Sequence, residues 1–180
     1  SEKRDRHRLL MVGRGSQSKG HHIAISAVNR LRKLGVDVQL DIVGPSCEEL
    51  PRNISGVTVH GWIEQKQLEI ISARAGALLV PSTHEGMPLV VLDALASGLP
   101  CLVSTTSGEF IGEGGRVVNS LEPTDWIDAI QSIIEDEEEW KRMCNKAPIA
   151  VQGLDSESDR FRWGRFYNSI IKSDNLFLPS

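Results

Sequence analysis

Hydrophobic residues in this chain gather into short runs, and the spacing within and between them predicts alternating strands and helices. Leu9-Leu10-Met11-Val12 is an unbroken apolar run stopped by Gly13, the pattern of a strand buried on both faces. From His22 the period changes: Ile23, Ala27, Val28, Leu31 and Leu34 recur at helical spacing, and Gly35 closes the helix. Val36 to Val43 predicts a second strand, ended by Gly44-Pro45. Further strands are expected at Val57 to Val59, Ala77 to Val80, Leu99 to Ser104 and Arg116 to Val118. Helices are expected at Gln65 to Arg74, Pro88 to Ser97, Thr124 to Glu135, Glu137 to Lys146 and Asp159 to Lys172. Such alternation predicts an α/β domain, a parallel sheet with helices on both faces. A break is expected around Gly153 to Ser158.

The length of 180 residues and the 40% hydrophobic and 24% charged content fit one ordinary globular domain. A net charge of −4 lacks the basic surplus of a nucleic-acid binder, so no nucleic-acid partner is expected. The one basic cluster, Lys3 to Arg8, reads as a solvated entry segment. Cys47, Cys101 and Cys144 lie far apart with no metal-ligand spacing. Together with a charged start in place of a signal peptide, they predict a reducing, cytoplasmic setting. No apolar run approaches the ~18–20 residues of a membrane span.

Two stretches carry chemistry. Gly13-Arg14-Gly15-Ser16-Gln17-Ser18-Lys19-Gly20 joins the first strand to the first helix, at the sheet edge where open α/β folds bind ligands. Its glycines admit a close ligand, the helix start offers free N–H groups, and Arg14 and Lys19 add two cations suited to a diphosphate. Ser18-Lys19-Gly20 does not fit the ATPase phosphate loop, and Ser18 replaces the third glycine of the dinucleotide pattern. A plain strand-to-helix turn with solvated Arg and Lys is the alternative. The second stretch, Pro81 to Pro100, follows the fourth strand and faces the same edge. Glu85-Gly86 precedes a helix in which Leu89 to Leu92 are apolar on every side, so Asp93 is expected to be partly buried and to need partners, which ligand hydroxyls could supply. Otherwise neighbouring protein donors satisfy Asp93 and Glu85 merely caps the helix. His21, His22, His60 and His84 form no metal triad; only His84, beside Glu85, draws interest.

Pro81-Ser82, Glu85-Gly86, Asp93-Ala94 and Gly98-Leu99-Pro100 resemble the signature of the group 1 glycosyltransferases, a retaining family of GT-B fold, with seven residues between the two acids. Gly13-Arg14 and Lys19-Gly20 match that family's first loop. Ile42-Val43-Gly44, Val59-His60-Gly61, Glu109, Gly114-Gly115 and Phe161-Arg162-Trp163 extend the resemblance from about Leu9 to Lys172. Two positions depart from the pattern: the second acid is Asp rather than Glu, and Pro88 stands where Gly is common.

The resemblance implies a Rossmann-like domain, the C-terminal half of a GT-B fold. Residues 1–155 would bind nucleotide sugar; 156–180 would form a terminal helix and tail packed on an N-terminal acceptor domain outside this chain. It implies a UDP- or GDP-linked sugar as donor, transfer with retained configuration and neither metal nor cofactor. Peripheral membrane association of the full-length enzyme is compatible with it. Gly13, Arg14 and Lys19 would hold the diphosphate, with Arg14 and Lys19 stabilising the departing nucleotide. Glu85 would hydrogen-bond the sugar, and Gly86, Met87 and Leu89 would bring backbone groups to sugar and phosphate. Asp93 would bind the ribose, with Trp62 and Ile63 near the base. The chain alone is expected to be inactive in transfer. The competing readings are a nicotinamide-dependent dehydrogenase, on the strength of Gly13-Arg14-Gly15, and a non-catalytic nucleotide-sugar-binding module.

Overall fold

The structure, a computed structural model, describes residues 4–85 and 89–153. Six strands, β1 (Asp5–Val12), β2 (Gln39–Val43), β3 (Val57–Gly61), β4 (Ala75–Val80), β5 (Cys101–Ser104) and β6 (Gly115–Val118), form one sheet in the order β3-β2-β1-β4-β5-β6. Every pairing is parallel. The order reverses between β1 and β4, which opens a crevice beyond their carboxyl ends. The helices are α1 (His21–Lys33), α2 (Gln65–Arg74), α3 (Leu89–Ala96), α4 (Pro123–Glu135) and α5 (Glu137–Ala150).

Alternation along each strand divides the core. Leu9 and Met11 of β1, Leu40 and Ile42 of β2 and Leu79 of β4 face one side, where α1 and α4 pack with Val28, Leu31, Trp126 and Ile130. Leu10, Val43, Leu78 and Val103 face the other, under α3 (Val91, Leu95) and the partly buried Leu68 and Ile71 of α2. α5 joins both layers, with Trp140 and Met143 in the first and Ala147 in the second. Trp140 Nε1 donates to the Gly76 carbonyl at 2.8 Å, which fixes the start of α5 at the amino end of β4.

Helix ends follow local rules. α1 closes with Gly35 at φ +88°, the Val36 amide reaching the Leu31 carbonyl and the Gly35 amide that of Arg32, a paired-bond cap that needs a left-handed residue. Pro123 opens α4, and the Asp136 carboxylate accepts from the Glu139 amide at 2.9 Å to open α5.

Several boundaries differ from the sequence expectation. β2 begins at Gln39 because Val36 is consumed in capping α1, and α5 continues through Pro148 to Ala150. The largest correction concerns the basic segment. Asp5 to Arg8 lie within β1 rather than in a solvated linker. Arg4 donates to the carbonyls of Ser72 (2.6 Å), Ala75 (3.2 Å) and Ser97 (2.8 Å), tying the carboxyl ends of α2 and α3 together, where helix dipoles favour a cation. Arg6 donates to the Ile134 carbonyl at 2.8 Å at the end of α4. Arg4→Ala should therefore lower unfolding free energy by about 1.5–3 kcal/mol, read from urea denaturation, with no effect on ligand binding at the opposite edge. The expected helix at 159–172, and the boundary at 155/156, lie outside the described residues.

Candidate active site at the carboxyl edge of β1 and β4

Three loops are laced together at the crevice. The Gly13 amide donates to the Val43 carbonyl (2.9 Å) and the Gly15 amide to that of Pro45 (2.8 Å), which joins the β1–α1 loop to the end of β2. On the other side the Thr83 amide donates to the Ser18 carbonyl (2.8 Å), which joins it to the β4–α3 loop. A 3-10 turn, Gln17–Lys19, leads into Gly20, whose φ of +72° sets the direction of α1. A Cβ at Gly20 would overlap the Pro81 carbonyl oxygen, so only glycine lets the two loops close on each other.

That closure joins the two sequence motifs. Lys19 runs beside Gly13, and its Nζ lies 2.7 Å from Glu85 Oε1, across 66 residues of sequence. The Glu85 side chain is only 10% exposed, and that of Lys19 31%. Glu85 is therefore paired with a cation. Arg14, in the same loop, is exposed and meets no acid among the described residues. The amides of His21 and His22, at the start of α1, have no intrahelical acceptor, as at any helix N-terminus, so donors and cations share one spot.

Underneath, His21 is buried, with its Nε2 3.8 Å from Cys47 Sγ, while the Cys47 thiol donates to the Gly13 carbonyl at 3.3 Å. Burial lowers the proton affinity of His21, opposed by the nearby carbonyls of Ser16 and Gly13. This neutral, packed pair supports the loop from below. Sequence reasoning passed over it, because neither residue stands in a motif and their contact spans 26 positions. His84 is exposed and its Nδ1 lies 3.0 Å from Thr83 Oγ1, a local contact only. His60 Nε2 lies 2.7 Å from Oδ1 of the buried Asp41, whose other oxygen accepts from Arg8 at 3.4 Å, a structural cluster beneath α2.

Asp93 departs from expectation: it is exposed, not buried. α3 buries Val91, Ala94 and Leu95 but leaves one flank along an open groove, and Leu89 at its start is 64% exposed. The groove, about 530 Å3, separates α2 from α3; Val12, Gln65, Leu68, Val90 and Asp93 line it. The Asp93 carboxylate meets no donor among the described residues, so it is available to a ligand. Trp62, 70% exposed, and Ile63 follow β3 on the same edge; Ile63 packs against the second core layer. Gly86 and Met87 lie outside the described residues; Glu85 and Leu89 flank them. A smaller pocket of about 230 Å3, lined by Ser82, Thr83, Ser104, Thr105 and Thr106, opens beyond β4 and β5.

Among the described residues no three His, Cys, Asp or Glu side chains converge as metal ligands, and no helix is long and apolar enough to cross a membrane.

The family model for glycosyl transferases group 1 matches residues 6–136, most of the chain and all of this edge. The chain belongs to the group 1 glycosyltransferases. This glycosyltransferase domain is 31% identical over 165 residues to a glycogen synthase of Mycobacterium tuberculosis, a match covering 84% of this chain and 39% of the relative. It thus spans less than half the length of that relative. Among solved structures, the domain resembles HepE from Anabaena in complex with UDP and glucose (TM-score 0.79, 21% identity, 91% of this chain, 48% of that one). It also resembles the C-terminal domain of a group 1 glycosyl transferase from Francisella tularensis (TM-score 0.70, 17% identity, 83% and 86% coverage). The last match, covering most of a lone C-terminal domain, agrees with a GT-B half as the unit described by the sheet. The dehydrogenase reading falls with this membership.

Proposed function

We propose that this glycosyltransferase domain binds a nucleoside-diphosphate sugar at the β1–β4 crevice. We propose further that it supplies the donor half of a retaining, metal-independent transfer, the acceptor being held by a second domain. The observation that carries this reading is the Lys19–Glu85 pair, which sets a cation for phosphate and a carboxylate for sugar hydroxyls at one point. As the bond between the anomeric carbon and the phosphate oxygen breaks, the electron pair leaves with the diphosphate. Lys19, Arg14 and the amides opening α1 stabilise that charge in this reading. They fill the part a divalent metal plays elsewhere, and titrations in EDTA and in excess magnesium should give the same affinity. Asp93, on the groove wall, is the ribose contact, and Trp62 and Ile63 border the base. Transfer also needs the acceptor at near-attack distance, worth roughly 7–11 kcal/mol of the barrier, and the residues assigned here all address the donor.

Calorimetry with UDP-glucose, GDP-mannose, UDP and GDP tests the roles. Asp93→Ala should weaken sugar nucleotides and free nucleotides alike, by about tenfold. Glu85→Ala should weaken only the sugar nucleotides, and free UDP or GDP should bind as well or better because Lys19 is released. Equal losses from both variants on all ligands would end this assignment of roles.

A further inference from the structure

The α2–α3 groove extends well beyond a ribose contact. It runs from Val12, at the carboxyl end of β1, to Arg4 and Ser97 at the opposite edge, over an apolar floor that includes Leu10 and Leu78. α3 contributes Asp93 to one wall. α2 contributes Gln65 and Glu69 to the other, four residues apart on one helix face and joined by a Gln65 Nε2 to Glu69 Oε1 hydrogen bond of 3.2 Å. Both side chains are exposed, and among the described residues each has only the other as partner.

Resting on the reading above, a diphosphate at Lys19 and a ribose at Asp93 direct the nucleobase away from α3 and toward α2. We infer that Gln65 and Glu69 read that base and select guanine. The Gln65 amide nitrogen has two hydrogens, of which Glu69 takes one. The ionised Glu69 carboxylate only accepts, and it keeps one oxygen wholly uncommitted. The wall thus offers a donor next to a charged acceptor with spare lone pairs. Guanine presents the complement along one edge: O6 accepts, and N1–H and the N2 amino group donate side by side to a carboxylate. Uracil presents acceptor, donor, acceptor, so a carbonyl oxygen would face the carboxylate. Adenine would turn its N1 lone pair toward the same charge. A site built to be hydrogen-bonded by its ligand rejects the ligand that lacks the donors, and a charged partner sharpens the rejection.

The test is titration of the chain with GDP, UDP and ADP in EDTA, for the wild type and for Glu69→Gln. The position is exposed on α2, and an unchanged melting temperature would verify folding. GDP should bind about tenfold or more tighter than UDP and ADP; Glu69→Gln should remove that advantage and leave UDP within about twofold of wild type. UDP or ADP binding as tightly as GDP, or a GDP preference that survives Glu69→Gln, overturns the guanine assignment and leaves the donor site standing. Failure of all three nucleotides to bind the wild type overturns the donor site itself, and the base assignment with it.

Discussion

Lys19→Ala should weaken nucleoside diphosphate binding about a hundredfold, toward the upper end of what loss of one charge-assisted contact implies. A charge-assisted hydrogen bond to phosphate contributes about 1.5–3 kcal/mol. Glu85 places the loss at that upper end. Its side chain is 10% exposed and its Oε1 lies 2.7 Å from Lys19 Nζ. Without that cation, an unpaired carboxylate faces the position proposed for the diphosphate. Unit charges about 4 Å apart near a protein surface interact by about 4 kcal/mol, so even a fraction of that repulsion adds another tenfold. Lys19→Ala/Glu85→Gln removes the repulsion and should recover about tenfold of the lost affinity for free GDP or UDP. Calorimetry on the four proteins gives the coupling directly. Additive losses would show that the two side chains act independently and that the pair has no part in binding.

Gly20→Ala should be the most destabilising single substitution at the site, by about 3 kcal/mol or more. A non-glycine residue held at a left-handed φ costs roughly 1–3 kcal/mol, and Gly20 sits at φ +72°. The added methyl also overlaps the Pro81 carbonyl oxygen, which belongs to backbone that cannot turn aside as a side chain would. The β1–α1 and β4–α3 loops must then separate, which breaks the Thr83 to Ser18 hydrogen bond and withdraws Lys19 from Glu85. Since small domains hold only about 5–15 kcal/mol in total, a shift of this size shows clearly in urea denaturation. Gly35→Ala is the control. Gly35 has φ +88° with nothing within 4 Å of its added methyl, so it carries the conformational cost without the collision, about 1 kcal/mol. Similar losses at both glycines would mean that the two loops are not locked as described.

These two expectations draw on different levels of legibility in the sequence. The strands β1, β4 and β5 announce themselves because a parallel sheet covered on both faces needs unbroken apolar runs such as Leu9 to Val12 and Ala77 to Val80. The Gly13–Gly20 loop and the Glu85–Asp93 stretch were legible as motifs, and the fold brings them to one edge. Their joining contact was not legible, because an ion pair across 66 residues depends on the β1–β4 adjacency. The basic start of β1 was misread for a similar reason. Arg4 and Arg6 look solvated in sequence, yet their acceptors are carbonyls at the ends of helices 68 to 128 residues away. Asp93 was misread because periodicity reports which faces of a helix are apolar, not whether a neighbour covers them. α2 stands off from α3, and the apolar flank of α3 borders a groove instead of a core.

The central claim is that the two loops at the β1–β4 crevice form a nucleotide-sugar site. Amide-resolved NMR titration of the intact chain with GDP and UDP, in EDTA, tests it most directly. Saturable shifts should concentrate in the Gly13–Gly20 loop, in the first turn of α1, and in Thr83 to Glu85 and Leu89 to Asp93, with the sheet's opposite edge around Arg4 and Gly76 unmoved. Shifts centred away from these loops, or none at millimolar nucleotide, would contradict it.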